Sequence, residues 1–147
     1  HHAQLNISVR AYHNAAQSIA NNTTTVLSLN SERFDTDTMH NTVTNNNRIT
    51  FTTAGVYVIS ANVEFDSNAT GQRFLIIRDN TGTIIASQLK MAVTTAGDIT
   101  ALNVTTIGNF AAGDWVEMAV VQGSGGALSV NSSGNRSPEF AAAKVLG

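Results

Sequence analysis

Cysteine is absent from this chain of 147 residues, which excludes disulfide staples and thiol chemistry without deciding the compartment. Charge is scarce as well. Asp, Glu, Lys and Arg together make up 12% of the sequence, about half the usual share. The net charge of −2 provides no field that would steer the chain to nucleic acid. No apolar run approaches the roughly 18 residues that a membrane-spanning helix needs, so no membrane insertion is expected. The charged helix formers Glu and Lys are rare, and apolar residues do not recur at helical spacing over several turns. Proline occurs once, at Pro138, just before the last expected strand, where it disturbs no ladder.

Asn and Thr supply the missing polarity and outnumber all charged residues. Thr favours strands and Asn favours turns, so the exchange points to β-structure. A hydrophobic content of 42% over this length is enough for one domain with a real core. One domain over residues 1–147 is expected, with 1–4 set aside as a tag remnant on the strength of His1 and His2.

Alternation of period two recurs along the chain. Leu5, Ile7, Val9 and Ala11 share one face of a first strand. Short strands follow at 26–29 and around Ile49 and Phe51. The clearest strand runs from Val56 to Phe65, with Tyr57, Ile59, Ala61, Val63 and Phe65 on one side. Its other side is apolar at Val56 and Val58 and polar beyond, which predicts a cover over its first half. Segments 74–78 and 84–89 flank Asp79-Asn80-Thr81-Gly82 and read as a hairpin. Further strands are expected at 99–107, 115–122, 127–130 and 140–146, the stretch 115–122 being apolar on both faces. About ten short strands with turn signals between them describe an all-β sandwich.

No residue pattern points to catalysis. His13 and His40 lie among polar residues without a nucleophile signature, and Ser124 belongs to a glycine-rich loop. Asp35 and Asp37 do not define a catalytic carboxylate pair. No zinc spacing is present. Calcium would have to draw on Asp35, Asp37, Asp66, Asp79, Asp98 and Asp114, which are spread singly over turns rather than gathered in a binding loop, so turn capping is their expected role. The sequence implies no cofactor and no enzyme.

Four stretches, in order, resemble the complement component 1q-like domain, a relative of the tumour necrosis factor jelly roll. They are the turn Phe34-Asp35-Thr36-Asp37, the run Phe51-Thr52-Thr53-Ala54-Gly55-Val56-Tyr57-Val58-Ile59, the strand opening Gly113-Asp114-Trp115-Val116, and the ending Ser137-Pro138-Glu139-Phe140. The likeness spans residues 5–147. An Asn-rich lead followed by Ser31–Asp37 also resembles versions of this domain on bacteriophage tail and other virion proteins. The chain departs from the pattern at Ala142, where the family has Gly, and at Lys144, which takes an often apolar place; no Gly-X-Y repeat is present.

The resemblance implies a two-sheet jelly roll that assembles as a homotrimer and acts as an extracellular or virion-surface binding head. Phe34, Phe51, Gly55, Tyr57, Gly113, Asp114, Trp115 and Phe140 would form its structural motif and core. Gly55 would meet a backbone demand, Tyr57 would need a partner for its hydroxyl, and Asp114 would bond turn N–H groups. A cell-surface glycan or protein receptor would engage end loops, with Asp66, Asn68, Gln72, Asp79, Asn80, Asn131, Asn135 and Arg136 as candidates. A purely structural trimerisation or fibre-decorating module and a secreted ligand for a protein receptor are the alternatives. Sequons at Asn68 and Asn103 are ordinary in so Asn- and Thr-rich a chain.

Overall fold

Alternating apolar residues build two antiparallel sheets whose inner faces close on one core. A computed structural model describes residues 6–145. Among these, twelve strands and no helix occur: β1 Ser8–Tyr12, β2 Gln17–Ile19, β3 Thr25–Val26, β4 Ser31–Asp35, β5 Arg48–Thr50, β6 Gly55–Phe65, β7 Gln72–Asp79, β8 Ile84–Met91, β9 Thr100–Phe110, β10 Trp115–Gln122, β11 Leu128–Val130 and β12 Glu139–Lys144.

In the first sheet β6 pairs along its whole length with β9, from Gly55↔Phe110 to Phe65↔Thr100. The other edge of β6 carries β12, then β1 and β4. At its far end the same edge meets β11, which carries β2. The second sheet is β8-β7-β10, and β5 and β3 share the remaining edge of β10. Val9, Ala11, Tyr57, Ile59, Ala61, Val63, Phe65, Leu75, Ile77, Val116, Met118, Val120 and Phe140 fill the space between the sheets.

Of the motif residues, Phe51, Tyr57 and Phe140 lie in this core. The ring centroids of Phe51 and Tyr57 are 4.3 Å apart, as are those of Phe51 and Phe110. The buried Tyr57 hydroxyl donates to Thr53 O at 2.7 Å; burial, and secondarily the charge of Asp37, raise its pKa. Phe51 also exchanges two 2.8 Å backbone bonds with the Gly113-Asp114 turn. Asp114 Oδ2 accepts the Ala111 N–H at 2.9 Å, as its turn position requires. Gly113 has φ +95° and Gly55 +156°, values that side chains with a Cβ rarely adopt. The space a Gly55 Cβ would fill is taken by Lys144 Cε. The missing side chain thus makes room for the Lys144 side chain of the last strand. Ala142 faces the core in the same strand, and the ladder Lys144↔Tyr57 defines the register.

The far end of the core is closed by polar side chains. Arg73 is fully buried and donates to the carbonyls of Asn68, Thr70 and Gln72. Gln122 donates to those of Ile19 and Gly126. Burial lowers the Arg73 pKa, yet three carbonyl acceptors suit the charged form.

Several expectations are corrected. The strands number twelve rather than about ten, because β2 and β4 are short and polar and owe their order to neighbouring strands. Phe34 and Asp35 belong to β4, not to a turn. Phe34 is also not core. Its partner Arg10 projects outward, so Phe34 does too and is 47% exposed. Trp115 lies outside the core as well, on the outward side of β10 with the Arg48 guanidinium 4.0 Å from its ring centroid. The expected strand at 26–29 shrinks to Thr25–Val26, although Leu27 and Leu29 remain buried. Leu5 and Leu146, expected at the ends of the first and last strands, lie outside the described residues.

Candidate functional site

The outward face of the first sheet has a composition unlike that of an ordinary solvated surface. Cross-strand partners point to the same side, so the registers align its side chains in rows. One row runs Ile107–Val58–Ala143–Ser8. The next runs Thr105–Ser60–Ala141–Arg10–Phe34. Small residues at the centre leave a shallow apolar groove of about 200 Å³, flanked by Phe34 and Val58. Val56, Val58 and Ile107 are 37%, 40% and 61% exposed. This is the side of β6 whose apolar start predicted a cover, and nothing within the described chain covers it.

The face turns polar in the third row, Asn103–Asn62–Glu139–Tyr12–Ser31. Glu139 is only 2% exposed and is held by two guanidinium groups. Arg10 Nε donates to it at 2.6 Å, and Arg33 donates through Nε at 3.0 Å and Nη2 at 2.9 Å. The hydrogen bond to Glu139 raises the Arg33 pKa, and the guanidinium also lies 4.0 Å from the Tyr12 ring centroid. One carboxylate thereby ties together β12, β1 and β4.

Beyond that row, a polar cleft of about 380 Å³ opens between β6, β8, β9 and the β11–β12 loop. Its lining includes Asn62, Glu64, Gln88, Lys90, Asn103, Asn135 and Arg136. Arg136 Nε stands 3.3 Å from Glu64, and Gln88 Oε1 accepts the Asn103 backbone N–H at 2.8 Å.

Of the eight candidate ligand residues, only Asn135 and Arg136 line this cleft. Asn131 sits in the same loop, its N–H donating to Glu64 O. Asp66 and Asn68 cap the β6–β7 turn through the N–H groups of Ser67 and Thr70, and Gln72 is exposed at the start of β7. Asp79 and Asn80 lie at the other end of β7, about 23 Å away along the strand. Asp79 accepts the hydroxyl and N–H of Thr81 and the N–H of Thr83, and these bonds, led by the hydroxyl, hold its carboxyl below the ordinary value. The candidates therefore do not converge on one site. Asn62, Lys90 and Asn103 escaped the sequence reading because they sit within strands. Their only sequence signal is polarity at outward positions of otherwise apolar ladders.

The single aspartates act locally. Asp35 accepts the N–H groups of Met39 and His40, and Asp37 accepts the hydroxyls of Thr52 and Thr53. Among the described residues no three His, Asp or Glu side chains gather as a metal site. His40, expected in a polar loop, is buried between Glu32 Oε2 and Asn46 O, each 2.8 Å from a ring nitrogen.

Two packed sheets in this strand order can be compared with solved structures. A structure described as Eiger TNF from S. frugiperda superposes with a TM-score of 0.70 at 12% identity, over 97% of this chain and 94% of that one. The chain has the tumour necrosis factor/complement component 1q-like jelly-roll fold. Murine APRIL at pH 5.0 gives 0.71 at 10% identity, covering 95% of this chain and 99% of the other. At pH 8.5 it gives 0.70 at 8% identity with the same coverages. No family model and no curated protein sequence matches the chain. At such low identities the likeness is one of fold, and the jelly roll's function has to be argued from its surface.

Proposed function

We propose that residues 1–147 act as one domain, a non-enzymatic binding head that assembles as a homotrimer outside the cell or on a virion surface. The observation that carries this reading is the outward face of the first sheet. Phe34, Val56, Val58 and Ile107 stand exposed around a floor of Ala141, Ala143, Ser8 and Ser60. Contiguous apolar surface of this kind marks an interaction site. Small central residues allow another copy to approach closely, and a larger apolar residue at each side gives it something to grip. The polar third row would then border the contact, as rims usually do.

The jelly-roll fold and the resemblance to virion-borne domains favour three copies around an axis. Binding agrees better than catalysis with the placement of the histidines. His40 is enclosed by Glu32 and Asn46, and His13 contacts the backbone of Ala15. No helix of the described chain is long and apolar enough to cross a membrane.

Light scattering during size exclusion tests the assembly. The expected mass is three times the 15.5 kDa of one chain. A monomer at micromolar concentration would overturn the reading.

A further inference from the structure

We infer that the cleft bounded by β6, β8, β9 and the β11–β12 loop binds an anionic saccharide, a sugar ring bearing a carboxylate. The inference gives a ligand class to the binding head proposed above. The volume of about 380 Å³ lies in the lower part of the range for small-molecule sites, suiting about one or two sugar rings.

The lining chemistry selects among ligands. The side-chain amides of Asn62, Asn103 and Asn135 form no hydrogen bond among the described residues, although all three line one concavity. An amide offers both donors and an acceptor, the combination that an array of hydroxyls requires. Gln88 is fixed by its bond to the Asn103 N–H, which leaves its NH₂ as a further donor. A simple inorganic anion would make little use of so many acceptors.

Charge decides the rest. Lys90 forms no ion pair among the described residues, and Arg136 is 74% exposed while its Nε meets Glu64. Two cations therefore stand against one carboxylate that is already paired. A ligand carboxylate placed beside Lys90 would complete the balance while ring hydroxyls meet the amides. The lining holds no aromatic platform, so a single cleft binds weakly and repeated copies supply avidity.

The test is a titration of the isotopically labelled full chain, followed by amide nuclear magnetic resonance, with methyl glucuronide and separately with methyl glucoside. Glucuronide should shift the side-chain NH₂ signals of Asn62, Asn103 and Asn135 in a saturable manner, with a Kd of about 1–10 mM. Lys90→Gln should weaken glucuronide binding about two- to fivefold and leave the weaker glucoside response unchanged. No saturable shift with either sugar, or shifts that spare these amides, would overturn the site. Equal responses to the two sugars would overturn its anionic preference. A monomeric chain that still binds glucuronide would sink the trimer reading while leaving this one intact.

Discussion

Glu139→Gln removes one charge and changes almost no volume, so it isolates what the buried carboxylate contributes. Three charge-assisted hydrogen bonds from Arg10 and Arg33 end on Glu139, at 2.6, 2.9 and 3.0 Å. Gln retains one acceptor oxygen but turns an NH₂ group toward a guanidinium donor. Removing one partner of a buried pair costs about 3–5 kcal/mol when the other charge stays dry. Here the arginine side chains are 33% and 26% exposed, so water recovers part of that loss. A destabilisation of about 2–3 kcal/mol remains, which lowers Tm by about 5–10 °C for a chain of this size. Calorimetry at fixed protein concentration measures it, because any self-association also moves Tm. Added salt should change the difference little, since a carboxylate so deeply buried is weakly screened. Arg136→Ala provides a milder contrast: Arg136 is 74% exposed and contacts Glu64 only at 3.3 Å, but the Glu64 side chain is 11% exposed, so the loss should be about 1 kcal/mol, clearly less than for Glu139→Gln. A Glu139→Gln shift below about 2 °C would refute the assignment of this triad as a tie across β12, β1 and β4.

Three further outcomes are expected. Val58→Asp places a carboxylate in the middle of the apolar face. It should convert the proposed trimer to monomers through an unpaired charge costing about 3 kcal/mol or more per subunit, read by light scattering, with far-ultraviolet dichroism unchanged. Phe51→Ala should cost about 3–5 kcal/mol by emptying the aromatic cluster, whereas Trp115→Ala, outside the core, should cost clearly less; urea melts compare them. Asp79→Asn should destabilise at neutral pH and converge with the parent in acid. The Asp79 carboxyl sits below its ordinary value of 3.8, chiefly through the Thr81 hydroxyl. Its contribution is therefore present above that value and fades as pH falls through the lowered one; melts at neutral pH and in strong acid decide it.

Period-two alternation needs only the local chain, and for that reason the long strands were legible. β10 has the expected bounds, and β6 differs from expectation by one residue. The same holds for the local needs of Tyr57, Gly113 and Asp114, each met as its residue type demands. β2 and β4 carry little pattern of their own, and their strands exist because β11 and β1 offer ladder bonds. Phe34 and Trp115 were misplaced for a related reason: a large aromatic residue promises burial, but only sheet register says which face it takes.

The sequence by itself determined an all-β chain with little local chemistry, because alternation, turn residues and missing cysteine act through neighbours along the chain. Only the tertiary structure decided which residues share a surface. It aligned Ile107, Val58, Ala143 and Ser8 into one row and gathered Asn62, Lys90, Asn103 and Arg136 around one cleft. Strand pairing brings together residues separated by most of the chain, and no local signal encodes that proximity.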